Sequence, residues 1–322
     1  MRVLVTEPII SSSIELLEQH FDVEVGERGT YDREKAMVKA AAEYDAILTM
    51  LSNPVTERVL KTGKENHLKI VADYAVGYNN IDIDAAKRLG IRISNTPDVL
   101  TDSTAEIALA LLLAAARKTT EAEGFLRERQ FEGWDPNQFL GLELHGATLG
   151  VVGMGRIGTA LARRAKACGM EILYYNRSRV DKNIEKELEA TYVPELDRML
   201  MEVDALSIHC PLTDETHHLI DEDKILLMED HAILVNTARG PIVDEAALAK
   251  ALHRGQLGGA GLDVYEDEPK VHPDLLTAPN AVLLPHIGSA TLKSRKGMGD
   301  LAAHAIIGVL NGEESSVPNL VV

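Results

Sequence analysis

Short apolar runs rich in β-branched residues alternate with stretches of helical pattern from residue 2 to about residue 95. The runs at 2–6, 23–25, 46–50, 69–72 and 92–94 predict strands. With helical segments between them they read as a small five-stranded parallel sheet covered by helices. Residues 101 to about 129 predict a long helical stretch, opened by a Thr/Asp/Ser cluster and holding Ala and Leu at nearly every position through Ala116. A helix apolar all round is a buried one, which places it between two domains. Residues 131–145 form an arm punctuated by Gly and Pro, with the chain's one tryptophan, Trp134.

A second alternating series starts at Ala147. Strands are predicted at 147–152, 171–175, 205–209, 232–236, 260–264 and 281–284, with helices at 157–167 and at 244–253, where Asp244 is a candidate N-cap. Right-handed crossovers wind such a series into a doubly wound sheet. A last helical stretch, 292–310, returns to the first domain. A chain of 322 residues exceeds one ordinary core, so two domains are expected.

Composition narrows the function classes. The 50 acidic against 33 basic residues give a formal net charge of −17, which argues against nucleic acid and against an acidic membrane surface as partners. An anionic substrate must then be drawn in by local cations. Cys168 and Cys210 are far apart and form no C-x-x-C pair, so a disulfide framework and a thiolate metal site are not expected, and a reducing cytoplasm fits. The N-terminus lacks the pattern of a signal segment, and the longest apolar run, 107–116, is too short to span a bilayer.

A G-x-G-x-x-G turn at Gly153, Gly155 and Gly158 stands between TLGVV and an amphipathic helix. In that context the first Gly permits the tight turn, the second lets a pyrophosphate approach the backbone, and the third allows close helix packing. The second strand of this unit ends in Tyr174, Tyr175 and Asn176, without the carboxylate that would hold a ribose 2′-hydroxyl. Asn176, Arg177, Ser178 and Arg179 offer hydrogen bonds and positive charge instead, so NADPH is expected to be preferred, with NADH possible.

Arg239 follows ILVNTA, Glu268 comes shortly after GLDV, and His286 follows VLLP. All three stand beyond strands, on the edge where open α/β sheets bind ligands. A guanidinium grips a carboxylate with two parallel hydrogen bonds, which suits Arg239. A carbonyl that receives hydride also needs a proton, which suits His286, and Glu268 would hold the other ring N–H and favour the charged imidazole. The constellation predicts hydride transfer to an oxoacid. The other ten histidines have no paired context and read as structural or exposed, with no metal ligand among them.

The segments VGYNNID (76–82), GMGRIG (153–158), NTARGPIVDE (236–245), GLDVYEDEP (261–269) and LPHIGSAT (284–291) resemble the D-isomer-specific 2-hydroxyacid dehydrogenase family, within it the glyoxylate/hydroxypyruvate reductases, from end to end. The resemblance implies an α/β fold of two Rossmann-like/flavodoxin-like domains. The cofactor domain, a doubly wound parallel sheet at about 99–289, would be inserted in a substrate domain of 1–98 plus 290–322. It agrees with the roles read for Arg239, Glu268 and His286 and implies substrate contacts from Leu51, Ser52, Val76 and Gly77. Arg156 and Ile157 would meet the pyrophosphate and Asp263 the nicotinamide amide. Cys210, Pro211, Thr237 and Ala238 would line the nicotinamide, Thr104 would reach it, and Gly288 would close the site. A homodimer would form through the long helix and an arm of about 119–146, from which Trp134 would either reach the partner's active site and select small substrates or simply pack within the dimer contact. Two rival readings are a D-3-phosphoglycerate dehydrogenase-like enzyme and a non-catalytic dinucleotide-sensing protein of the corepressor kind.

Overall fold

The five apolar runs of the first series form one sheet. In the computed structural model, which describes Met1–Val322 throughout, these are β1 (Arg2–Val5), β2 (Asp22–Val25), β3 (Ala46–Thr49), β4 (Ile70–Asp73) and β5 (Arg92–Ser94). Helices α1 (Ser11–Glu18), α2 (Glu34–Glu43), α3 (Glu57–Glu65) and α4 (Ile83–Leu89) alternate with them. All pairings are parallel, in the order β2-β1-β3-β4-β5. β3 and β4 are buried at every position, because helices cover both faces. Thr56 and Asp82 cap α3 and α4 by accepting from the N–H groups of Val59 and Ala85, and Gly90, at φ 67°, ends α4 in the left-handed region.

The second series opens with α5 (Thr101–Ala116) and α6 (Thr119–Arg127), followed by β6 (Thr148–Val152), α7 (Arg156–Ala167), β7 (Glu171–Tyr175), α8 (Lys182–Leu188), β8 (Thr191–Tyr192) and α9 (Leu196–Leu200). It continues through β9 (Ala205–Ile208), α10 (Glu222–Ile225), β10 (Ile233–Asn236), a 3-10 turn (Gly240–Ile242), α11 (Glu245–His253), β11 (Gly259–Leu262) and β12 (Ala281–Leu283). This sheet is also parallel throughout, in the order β12-β11-β10-β9-β6-β7-β8. The winding direction reverses between β6 and β9, the switch point where such sheets take ligands. Side chains from α5 and α7 pack with Leu149, Val151, Ile233 and Val235 on one face, and those of α9, α10 and α11 pack with Leu206, Ile208 and Leu234 on the other. Alternation along each strand divides the two layers.

Helix α12 (Leu292–Leu310) packs on α1, β3 and β4, so both chain ends build the first unit. The compact units are Met1–Leu100 with Ser289–Val322, and Thr101–Gly288. No helix is long and apolar enough to cross a membrane.

Two expectations need correction. The helical stretch 101–129 is two helices, broken at Lys118, whose φ of 50° is left-handed. Nor is α5 buried all round. Asp102, Glu106, Ala110 and Leu113 form an exposed stripe, while Ala105, Ala108, Leu111 and Leu112 face α7 and the strands of their own unit. Its alanine-rich sequence blurs the periodicity that would have separated the two faces. The short elements β8, α8, α9 and α10 were not anticipated.

Gly261 lets α5 lie directly on β11, since a Cβ there would sit 2.7 Å from Leu111 Cβ and 3.2 Å from its backbone. β11 is held between two strands and cannot retreat, so Gly261→Ala is expected to cost about 1–3 kcal/mol through overpacking. In a thermal melt this is a fall of roughly 2–4 °C per kcal/mol; an unchanged midpoint would contradict the packing described.

Candidate active site

Each glycine of the turn after β6 has its own physical reason. Gly153 has φ 96°, and a Cβ there would meet Cys210 N at 2.5 Å. At Gly158 a Cβ would meet Gly153 O at 2.4 Å. Gly155, the N-cap of α7, has no such neighbour within 4 Å, so its backbone faces open space. No acidic residue stands in the first turn of α7, and no side chain caps its N-terminus, where Arg156 and Ile157 begin the helix. The positive dipole end of a helix without a side-chain cap or first-turn acid suits an anion. The side chain of Asn176, at the end of β7, braces the turn by accepting Met154 N–H at 2.7 Å.

Beyond Asn176 the predicted cations are not equivalent. Arg179 is committed to Glu185 through two hydrogen bonds of 2.9 Å and lies over the Tyr192 ring. Arg177 and Ser178 are exposed. Arg177 acts at longer range on Glu215, whose carboxyl the Thr213 hydroxyl chiefly holds below its usual range.

At the end of β9, burial pushes the His209 imidazole down to about 4, and its Nε2 lies 2.8 Å from the Ser207 hydroxyl. Burial also raises the Cys210 thiol to about 11, so Cys210 offers shape and not a thiolate. Pro211 follows, and its carbonyl accepts from the Thr216 hydroxyl. After β10, Asn236 closes the next turn: its Oδ1 accepts Ala238 N–H at 3.0 Å and its Nδ2 donates to Arg239 O at 2.9 Å. The hydroxyl of Thr237 within that turn is buried without a hydrogen-bond partner.

Gly240 then lets the loop after β10 touch the loop after β11, because a Cβ there would lie 1.8 Å from the Tyr265 carbonyl carbon. The second loop carries Glu268. Its Oε1 accepts Tyr265 N–H at 3.0 Å, and its Oε2 is 2.8 Å from His286 Nδ1. Burial would raise the Glu268 carboxyl, but the hydrogen bond and charge of His286, the Tyr265 N–H and the Arg239 guanidinium outweigh it, and the group lies below its usual range. His286 has a left-handed φ of 56°. The next two N–H groups, of Ile287 and Gly288, each donate at 2.7 Å to one oxygen of Asp263, which is 1% exposed. Thr104 belongs to the same cluster, since a Cβ on Gly288 would meet its Cγ2 at 3.3 Å.

Arg239, Glu268 and His286 thus share one edge of the second unit. With an ionised Glu268 holding Nδ1–H, the ring is fixed and Nε2 is the nitrogen left to a bound molecule. In the first unit, Leu51 and Ser52 follow β3, and Val76 and Gly77 follow β4, at the carboxyl edge of that sheet. Buried Asn53 accepts from Met50 N–H and the Thr6 hydroxyl, Ser52 donates to Asp32 at 2.7 Å, and Asn95 donates to Val76 O at 2.8 Å. Trp134 is 85% exposed in the arm. Sequence reasoning missed the bracing roles of Asn176, Asn236 and Asp263, and it missed Glu245, Glu266 and Tyr265 altogether.

Comparison with known proteins gives a consistent picture. Residues 109–288 match the family described as D-isomer specific 2-hydroxyacid dehydrogenase, NAD binding domain. A glyoxylate reductase of Thermococcus onnurineus (strain NA1) is 48% identical over 316 residues, covering 97% of this chain and 93% of that protein. The NADPH-dependent glyoxylate/hydroxypyruvate reductase of Sinorhizobium meliloti, solved in complex with NADP and malonate, is 36% identical with a TM-score of 0.84, over 95% of this chain and 92% of that one. D-lactate dehydrogenase of Aquifex aeolicus, solved with NAD and lactic acid, is 30% identical with a TM-score of 0.88, over 100% of this chain and 99% of that one. The fold alone therefore does not select between the two cofactors.

The glycine turn yields a separable pair of outcomes. Gly155→Ala should leave stability within about 0.5 kcal/mol, as a change away from packed atoms does, yet weaken dinucleotide binding in a fluorescence titration. Gly158→Ala should lower stability by about 1–3 kcal/mol through overpacking. Equal effects of the two on stability would contradict the open space at Gly155.

Proposed function

The chain belongs to the D-isomer-specific 2-hydroxyacid dehydrogenase family, and from that premise we propose that it is an NADPH-preferring reductase of glyoxylate and hydroxypyruvate, forming glycolate and D-glycerate. The observation that carries this reading is the Glu268–His286 contact of 2.8 Å within electrostatic reach of Arg239. The open backbone at Gly155, the uncapped start of α7 and the unpartnered Thr237 hydroxyl fit a dinucleotide. Gly153, Gly155, Arg156, Ile157 and Gly158 would hold its pyrophosphate, while Thr104, Cys210, Pro211, Thr237, Ala238, Asp263 and Gly288 would surround its nicotinamide end. Reduced nicotinamide supplies the hydride when bound.

The residues of this chain do the rest. Arg239 pairs with the substrate carboxylate and fixes the plane of the oxoacid. His286 gives the proton on Nε2 to the carbonyl oxygen, while Glu268 keeps Nδ1–H in place and balances the imidazolium charge. Leu51, Ser52, Val76 and Gly77 remain proposed backbone donors to the carboxylate. Exposed Arg177, with Ser178, is the proposed partner of a 2′-phosphate, because Arg179 is already paired with Glu185. A homodimer built through the arm at about 119–146 and a reducing cytoplasm complete the proposal; Leu126, Phe131, Trp134 and Leu140 leave a run of exposed apolar groups on that arm.

Initial rates across a panel of 2-oxoacids with both cofactors test it. Glyoxylate and hydroxypyruvate should give the highest kcat/KM, with NADPH above NADH, and Arg177→Ala should cut the NADPH value about tenfold, the worth of one charge-assisted hydrogen bond. Reduction should slow as pH rises and the imidazole loses its proton, and Glu268→Gln should move that limb to lower pH because the imidazolium loses its counter-charge. NADH-favouring values would overturn the cofactor reading, an unmoved limb the pairing, and cofactor binding without turnover the whole.

Trp134 tests the arm. Trp134→Ala should raise the activity on bulkier 2-oxoacids relative to glyoxylate; unchanged selectivity would leave Trp134 no part in choosing substrate.

A further inference from the structure

Glu245 opens α11 and is 5% exposed, although it is a carboxylate. The N-cap role at that helix is taken by Asp244, which accepts Ala247 N–H at 2.9 Å, so capping does not explain it. Its Oε1 instead accepts the N–H of Glu266 at 2.6 Å, and Glu266 returns the bond, its Oε1 accepting the N–H of Glu245 at 2.8 Å. His218 Nε2 lies 3.2 Å from that same Glu266 oxygen, and His272 N–H lies 3.4 Å from Glu245 Oε2.

The two partners sit at telling places. Glu245 follows the 3-10 turn that begins directly after Arg239, and Glu266 stands two residues before Glu268. The two loops already touch at Gly240 and Tyr265, which stops them approaching further; a steric contact of this kind does not by itself prevent sliding. A reciprocal pair of bonds beside that contact removes the sliding. Burying a carboxylate near a second one is unfavourable, and burial does raise the Glu245 carboxyl above its usual range. An amide or hydroxyl could cap a helix at less cost.

We infer that Glu245 is a positioning residue for the reaction, its exchange of hydrogen bonds with Glu266 fixing the loop that carries Glu268 against the loop that carries Arg239. The catalytic part of this rests on the proposed reductase activity. The distance between the substrate's anchor and its proton donor is then set by a group that touches neither substrate nor cofactor.

The test uses the full-length enzyme with Glu245→Ala, Glu245→Gln and Glu266→Ala, and Glu268→Gln as a reference. His286 ring protons are titrated by NMR in the cofactor-free protein, and kcat, KM for glyoxylate and the NADPH Kd are measured alongside. In Glu245→Ala the His286 titration should move toward that of Glu268→Gln, and kcat should fall by about 10–100-fold, as a misplacement of ~1 Å does, with NADPH Kd within about threefold. Glu245→Gln keeps an acceptor for Glu266 N–H and should recover most of kcat. Wild-type titration and kcat in Glu245→Ala, or equal losses in the Ala and Gln variants, would overturn the inference. If Glu245→Ala does not fold, Glu266→Ala, which removes the return bond and the His218 contact but keeps the Glu266 N–H bond to Glu245, should show the same shift at smaller size, and its absence would be equally decisive. An enzyme inactive on every 2-oxoacid would remove the proposed activity, while the NMR titration would still decide the clamp.

Discussion

One hydrogen bond, between His286 Nδ1 and Glu268 Oε2 at 2.8 Å, sets what the site can do. An imidazole delivers a proton from one nitrogen in a fixed direction only while its other nitrogen is held. The backbone is arranged to keep that bond. A left-handed φ at a non-glycine residue such as His286 costs on the order of 1–3 kcal/mol. Asp263 offsets it by accepting from the two N–H groups that follow. The carboxylate that accomplishes this is almost wholly buried, so the turn is held from inside the unit.

Sheet topology explains why these groups meet. Parallel strands send every following loop to one edge, so residues far apart in sequence, at 239, 268 and 286, converge without any long excursion of the chain. The dinucleotide turn stands at the switch point of the same sheet, after β6. The chain as a whole carries a net charge of −17 and would repel a small carboxylate, so the proposed reading needs a local cation, the role it gives to Arg239. That guanidinium also adds, after the His286 hydrogen bond and charge and the Tyr265 N–H, to holding the Glu268 carboxyl below its usual range.

The strands were legible because each is a short apolar run ended by polar or Gly-containing turns; β5, β7 and α12 begin and end where the pattern says. β8 is two residues long and α10 four, too short for any period to register. Their caps, Asp181 before α8 and Asp221 before α10, were the available signals. The break at Lys118 was hidden because a left-handed lysine has no compositional mark, and the exposed stripe of α5 because alanine is compatible with either face. At the site, Arg239, Glu268 and His286 could be read because each follows a recognisable strand. The supports could not. Asp263 acts on backbone N–H groups 24 and 25 residues away and Glu245 on one 21 residues away, and such contacts exist only once the loops are folded together. Arg179 looked equivalent to Arg177 in sequence, and only the placement of Glu185 on α8 separates them.

The central claim is that Arg239 clamps a carboxylate while His286, steadied by Glu268, faces the carbonyl oxygen. A crystal structure of the enzyme with NADPH and oxamate, an unreactive mimic of a small oxoacid, measures this directly. The account predicts the guanidinium of Arg239 on the oxamate carboxylate and His286 Nε2 within hydrogen-bonding distance, about 2.6–3.2 Å, of the oxygen that stands for the reducible carbonyl. An oxamate bound with its carboxylate away from Arg239, or with its carbonyl oxygen out of reach of His286, would contradict it.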